Sequence, residues 1–299
     1  MQKRRDTLTA WLFLAPVLLL FFTFIAYPIV FSGGLSLTEW NFVSGLSGIE
    51  FVGLDNFRKM FHDETFLYAL KNTLIYTVTI VPVSVVLSLI LAYLLNDKVY
   101  LRKTLRLLFF IPYISNTVAL VTVFKFMFRS DGPVNLFLSK LGMTELPQWF
   151  SNPNLTKVPI IILVIWTSIG YQVLIYMAAL QDVPTSLYEA AEIDGTTPWQ
   201  KFRKITVPLI SPTTFYLIVI RTIAVFKLFT AVKIMTAGTT ERSSTTIVAE
   251  VYRHGFSNYD FGYASAMSWI LFLIILTITL IQLLSLIHIS EPTRLRCIS

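Results

Sequence analysis

The chain has 299 residues, of which 55% are hydrophobic and 14% charged, and its formal net charge is +7. Charged residues make up about a quarter of an ordinary soluble domain, and a mean hydropathy of +0.68 leaves too few polar side chains to coat a water-facing globule. These figures exclude a soluble enzyme of this length and a disordered or fibrous chain, and they assign the basic excess to loops flanking membrane spans rather than to a nucleic-acid surface.

A helix crossing the ~30 Å hydrocarbon layer needs roughly 20 apolar residues. Taken in chain order, the stretches that qualify or come close are Trp11–Phe31, Thr73–Leu95, Leu107–Phe128, Val158–Leu180, Pro212–Met235 and Gly262–Ile287. The expected fold is therefore an all-α, polytopic transmembrane bundle of about six spans over residues 1–287, with an irregular tail at 288–299. The first stretch follows Lys3-Arg4-Arg5 but is long and has no small-x-small cleavage site after it, so it reads as a retained helix. In the loop after it, Asp55 or Asn56 is placed to cap a short amphipathic helix that runs to Tyr68.

Lys3, Arg4 and Arg5, then Lys98, Arg102, Lys103 and Arg106, then Lys201, Arg203 and Lys204 fall on one side of the membrane. Basic density is lower on the other side, which places the termini in the cytoplasm. Cys297 is a lone cysteine, and His62, His254 and His288 are too scattered for a metal cluster. The chain has no G-x-x-x-x-G-K-[ST] loop, and the span middles contain no Asp or Glu. Energy for pumping would then arrive through a partner rather than from bound ATP or an intramembrane carboxylate. The alternative is a self-contained secondary carrier or channel for a small polar solute.

The loop between the fourth and fifth stretches, about 184–212, reads as two short helices with a tight corner. Ser186 and Glu189 have capping-box spacing, Asp194-Gly195 stops the first helix, and Thr197, Pro198 and Gln200 start the second. Leu187, Ala190, Ala191, Phe202 and Ile205 give the unit apolar surface, and Pro208 and Pro212 end it at the membrane. Such an ordered knob suits insertion into another molecule.

Glu189-Ala190-Ala191, Asp194-Gly195, Phe202, Ile205, Pro208 and Pro212 resemble the EAA loop of binding-protein-dependent ABC importer permeases. The segments Trp11-Leu-Phe-Leu-Ala-Pro16, Gly53-Leu-Asp-Asn-Phe57, Ile111-Pro112 with Asn116, and Phe261-Gly-Tyr-Ala-Ser-Ala266 are similar to the sugar-permease, maltose-transporter-like branch. The resemblance implies a multi-pass permease in the plasma (inner) membrane of a prokaryote that moves a carbohydrate into the cytoplasm. Its implied partners are a second permease, an ATPase dimer and an extracytoplasmic solute-binding protein. It also implies that this chain binds no cofactor, with ATP and magnesium used by the ATPase. On it, Glu189, Asp194 and Gly195 couple to the ATPase, Ala190 and Ala191 allow close approach, and Phe202, Ile205 and Pro208 belong to the same coupling loop. The competing role for Glu189 is to cap its own helix.

Similarity to the maltose-type permease puts Arg221, Val225 and Leu228 on a face lining the sugar path, with Trp166, Gly170 and Val173 on the matching face of the fourth span. Asn116 and Gln172 are further polar candidates. A charge at Arg221, mid-span, costs about 2.5–3.5 kcal/mol on the lenient insertion scale, so it should face a water-filled cavity or a partner. Lys227 and Lys233 lie nearer the span end and can snorkel. Arg221 raises the idea of an acidic or phosphorylated sugar, against a structural pair with a partner helix or a helix-end carbonyl. Trp166 suits either sugar stacking or helix packing, and Gly170 suits close packing. Thr236-Ala-Gly-Thr-Thr-Glu-Arg-Ser replaces a glycine-rich turn common in sugar permeases, and the ending from Ser285 to Ser299 has neither the family's basic tail nor helix capping, as expected of a non-native terminus.

Overall fold

The computed structural model describes residues 2–96, 102–236 and 241–295. In chain order its helices are α1 (Gln2–Phe21), α2 (Tyr27–Leu35), α3 (Asp55–His62), α4 (Glu64–Asn96), α5 (Arg102–Ile114), α6 (Thr117–Met127), α7 (Pro133–Lys140) and α8 (Lys157–Gln181). There follow α9 (Thr185–Ile193), α10 (Pro198–Lys201), α11 (Val207–Leu209), α12 (Ser211–Phe226), α13 (Thr230–Thr236), α14 (Glu241–Ser244), α15 (Ile247–Tyr252) and α16 (Phe261–Leu295). A two-stranded antiparallel pair, β1 (Thr38–Glu39) with β2 (Glu50–Phe51), joins Thr38 to Phe51 and Glu39 to Glu50. The chain divides into two compact units, one of residues 1–66 with 250–273 and the other of 67–249 with 274–299.

In the first unit, α1 and α2 form one apolar rod through a π turn at Phe22–Ala26, where the Tyr27 amide donates to the Phe22 carbonyl. The longer turn lies just ahead of Pro28, whose ring would otherwise clash with the carbonyl four residues back. The hairpin packs on the start of α16: the Phe261 amide donates to the Trp40 carbonyl at 3.0 Å, and a side chain at Gly262 would fall on the Thr38 carbonyl. Neither Asp55 nor Asn56 caps α3. The N-cap is Leu54, and Asn56 is buried, donating through Nδ2 to the carbonyls of Thr38 (2.8 Å) and Ser36 (3.1 Å). The preceding turn at Gly53, with φ +60°, starts the helix one residue before the polar pair can act as caps.

Among the described residues, four helical stretches are long and apolar enough to span a membrane: Thr9–Leu35, Glu64–Asn96, Lys157–Gln181 and Phe261–Leu284. Two bent pairs bring the number to as many as six, with residues 103–127 turning by 96° and 198–226 by 66°. The expected third span is therefore broken. Pro112 removes a backbone donor in α5, and Asn116 adopts an extended conformation and caps α6 by accepting the Ala119 amide at 3.1 Å. The expected fifth span breaks as well, α12 giving way at residues 227–229 to α13. At this second break the apolar run carries no signal, because backbone carbonyls there and at the end of α13 are satisfied by side chains distant in sequence. The Thr246 hydroxyl donates to the Leu228 carbonyl (2.7 Å), and Lys125 Nζ to that of Ile234 (2.7 Å).

The second unit packs around two apolar clusters, one including Tyr76, Ile80, Ile160 and Leu163, the other Val85, Ala92, Tyr176 and Leu217. At Gly170 the absence of a side chain lets the α5 backbone at Phe109 and Phe110 lie against α8. The tail is not irregular over 288–295: the run after Leu283 has no Gly and no Pro before Pro292, and the α16 backbone continues to Leu295. Residues 296–299, including Cys297, lie outside the described residues, as do Lys98 and residues 237–240 of the replaced glycine-rich turn. The side chains of Lys3, Arg4, Arg5, Arg102 and His288 are likewise outside them.

Candidate functional site

The two helix breaks meet at a cavity of about 300 Å³ in the second unit. Pro112, Tyr113 and Thr117 approach it from the α5–α6 break, and Lys227, Leu228, Phe229 and Thr230 from the α12–α13 break. Leu163, Val164, Thr167 and Ser168 of α8 and Arg221 of α12 complete the wall. Unwound backbone at membrane depth is tolerated where it is buried in protein or lines a cavity, and half-helix ends around a midplane site recur in transporters.

Arg221 Nη2 donates to the Val164 carbonyl at 2.8 Å, while its Nε is buried with no partner among the described residues. The carbonyl belongs to the interior of α8, so the anchor is not a helix end. Lys227 is the C-cap of α12, where its charge complements the negative helix terminus. Tyr113 stacks on Tyr171 with ring centres 5.1 Å apart, so its ring has one face supported.

Of the residues expected along the path, Arg221 and Leu228 line this cavity. Val225 and Val173 do not: each is packed in one of the two apolar clusters, because its side of the helix faces neighbouring helices. Gln172 is also buried away from the cavity, its Nε2 donating to Ser84 Oγ at 3.3 Å. Trp166 is 41% exposed and stacked on Phe124, ring centres 5.4 Å apart. Gly170 holds the α5–α8 contact, and Asn116 spends its side chain capping α6. Lys227, Tyr113, Thr117 and Thr167 were not read from the sequence as cavity residues. The available signal was Pro112 followed closely by Asn116, a breaker and a cap inside one apolar run.

The knob is built by local rules. The Gly195 amide donates to the Glu192 carbonyl and the Thr196 amide to that of Ala191, both at 3.0 Å, with Gly195 at φ +70°. This is a complete Schellman closure of α9, which glycine accommodates without steric cost. Thr197 Oγ1 accepts the Gln200 amide (3.3 Å), and Gln200 Oε1 accepts the Thr197 amide (2.9 Å), forming the expected capping box with Pro198 in the first turn. A π turn at Phe202–Thr206 precedes Pro208, as the one at Phe22–Ala26 precedes Pro28. Tyr188 and Thr206 hydroxyls pair at 2.8 Å, Lys201 Nζ bridges to Glu192 at 2.7 Å, and Phe202 packs edge-on to Tyr93.

The expected capping box at Ser186 and Glu189 does not form. Pro184 is the N-cap, which draws Ser186 inside the first turn and leaves Glu189 exposed in the second, capping nothing. Ala191 is 6% exposed, so it packs within the knob; Ala190, Asp194 and Gly195 are exposed, and Phe202 and Ile205 half-buried. The most prominent apolar side chains were missed: Ile193 is 88% exposed and Trp199 66%. Their signal was apolar character right beside the Asp194-Gly195 stop and the Thr197 cap. The Lys201 hydrogen bond, reinforced by its charge, lowers the Glu192 carboxyl below the ordinary carboxylate range.

In the first unit, burial raises the Asp63 carboxyl but is outweighed by hydrogen bonds from the Tyr263 hydroxyl (2.9 Å) and the Thr65 and Phe66 amides, so it titrates below its usual range. Burial, then the Arg253 charge, pushes His254 down. Among the described residues, no group of three or more His, Cys, Asp or Glu is placed to hold a metal.

Residues 73–290 match the family described as binding-protein-dependent transport system inner membrane component. The lactose transport system permease protein of Rhizobium radiobacter is 34% identical over 285 residues, covering 94% of each chain. The arabinooligosaccharides transport system permease protein of Bacillus subtilis is 34% identical over 279 residues, covering 91% of this chain and 87% of its own. A solved bacterial alginate ABC transporter, in complex with a periplasmic protein bound to an alginate pentasaccharide, contains a chain that aligns with a TM-score of 0.81 at 27% identity over 93% of both. The chain belongs to this family: it is a multi-pass, inner-membrane permease subunit of a binding-protein-dependent sugar importer.

Proposed function

We infer that this permease works with a second permease chain, an ATPase dimer and an extracytoplasmic solute-binding protein, and that α9–α11 is the element through which ATP hydrolysis in the partner drives the spans. This reading places the knob and both termini in the cytoplasm. The relatives named for lactose, arabinooligosaccharides and sulfoquinovosyl glycerol support a carbohydrate cargo. ATP and magnesium act in the partner, and this chain contributes the path and the lever.

The observation that carries the reading is a locally closed knob that holds Ile193 and Trp199 out in water. An isolated loop gains nothing from exposing an isoleucine, whereas a groove in a partner gains its burial. Glu189, Ala190, Asp194 and Gly195 lie on the exposed side, while Ala191, Phe202, Ile205 and Pro208 frame the knob. In the reconstituted complex, Ile193→Asp and Trp199→Ser should each cut binding-protein-stimulated ATP hydrolysis and uptake at least tenfold. An ATPase cross-link from Ile193→Cys should form during turnover. Wild-type hydrolysis and uptake in both variants, with no cross-link, would overturn the assignment.

A further inference from the structure

We propose that Arg221 and Lys227 form an anion subsite in the broken-helix cavity, which receives an acidic group, carboxylate or sulfonate, of the carbohydrate passing through. The proposal rests on the transport reading above and adds the charge of the cargo.

Both cations line one cavity of about 300 Å³, and among the described residues no Asp or Glu shares its wall. That volume is at the lower end of ordinary ligand pockets, roughly 300–1,000 Å³, so it suits one charged sugar residue rather than a long oligosaccharide at once. Arg221 has a single hydrogen bond, to a neutral carbonyl, and its buried Nε is unpartnered among the described residues. A carbonyl orients a guanidinium without neutralising it. Lys227 forms no ion pair among the described residues and is exposed. A buried guanidinium nitrogen without a partner and an exposed ammonium on the same cavity wall call for an anion, and a planar guanidinium can bind two oxygens of a carboxylate or sulfonate at once.

Other polar atoms of the same cavity wall suit a sugar. Tyr113 presents a ring backed by Tyr171. Thr167 Oγ1 donates to the Leu163 carbonyl and Ser168 Oγ to that of Ile165, which leaves their oxygens as acceptors for sugar hydroxyls. Thr117 begins α6, so the positive end of that helix also borders the cavity. A structural counter-ion would instead require a carboxylate of the second permease fixed at this spot, which the test below distinguishes.

The test uses the assembled permease–ATPase complex in nanodiscs without the binding protein, so that external selectivity is removed. The probes are a trimer of galacturonate and its carboxyl-reduced, neutral counterpart. The acidic trimer should bind at least tenfold more tightly, and its affinity should fall with salt. Arg221→Gln should erase most of that preference; Lys227→Gln, at an exposed position that leaves folding intact, should weaken it several-fold, and Arg221→Lys should keep part of it. Equal binding of the two probes by the wild type, or an unchanged preference in both glutamine variants, would overturn the subsite. So would rescue of Arg221→Gln by removal of a carboxylate on the second permease. Binding-protein stimulation of ATP hydrolysis in the wild-type complex reads the transport assignment separately: its absence would sink that assignment even where the probe preference held.

Discussion

At the knob, α9 ends on partners within six residues, the Ala191 carbonyl taking the Thr196 amide and the Glu192 carbonyl that of Gly195. At the cavity, the end of α12 leaves the Leu228 carbonyl open, and Thr246, 18 residues away, closes it. The first kind of closure makes a body that keeps its shape wherever it moves. The second makes a space whose shape depends on several elements holding their places at once. On the proposed coupling this is a useful division. A rigid knob leads through the bend at Ile210 into α12, which carries Arg221 and ends at Lys227, so a push on the knob is delivered to the wall of the cavity.

The largest expected effect is on the assembled side of this contrast. Gly170→Leu would put a side chain where the Phe109 carbonyl lies, and backbone cannot step aside as a side-chain tip can. Overpacking of this kind costs about 1–3 kcal/mol, and the upper end is expected here. Thermal unfolding in detergent should drop sharply, with α5 and α8 losing hydrogen-exchange protection together. An unperturbed melting curve would mean that the α5–α8 approach is not what holds the cavity. Thr246→Val comes next. It removes the donor to Leu228 and the hydroxyl that accepts the Ala249 amide at 3.4 Å, for a loss of about 1–2 kcal/mol. Exchange should rise at α13 and at α15 together, because one hydroxyl serves both.

On the local side, Thr197→Ala should cost about 1 kcal/mol and leave the melting of the bundle in place. The amides of Gln200 and Lys201 would exchange faster, while those of α9, closed by Gly195, would not. Spread of the change into α8 or α12 would break the contrast by showing the knob to be part of the bundle.

The same division explains what could be read in advance. Asp194-Gly195 and Thr197-Pro198-Gln200 announce the knob because the residues that stop and start its helices are the residues that close them. The spans were legible from apolar length, and so was the all-α class. The break at Ser115–Asn116 had a signal in Pro112 and Asn116, whereas the break at 227–229 had none, since Phe226, Leu228 and Phe229 continue an apolar run whose interruption depends on Thr246 and on the packing of α8. The cavity followed the same logic: Arg221 stood out as a charge in a span, but Val225, on helical spacing with it, and Val173, on helical spacing with Trp166 and Gly170, turned to the core. Ser186 misled because the helix is capped at Pro184, two residues early, placing the serine inside the first turn.

The smallest effect separates the shape of the knob from its surface charge. Lys201 holds the Glu192 carboxyl below the ordinary carboxylate value of 4.5 through a hydrogen bond at 2.7 Å. A carboxyl lowered in the folded state contributes stability that is in place above its unfolded value and is lost as pH falls through the lowered one. The pair should therefore be intact at neutral pH and weaken only on acidification below about 4.5. Because Glu192 is exposed, solvent and salt screen the pair and its contribution is minor. Glu192→Gln should leave unfolding and the Gln200 amide exchange at neutral pH near wild type, and it should abolish the small acid-side and high-salt loosening of α10. A pronounced loosening at neutral pH would show that the ion pair, and not the Schellman closure and the capping box, keeps the two helices of the knob at their angle, and the local rules would then have to yield to electrostatics.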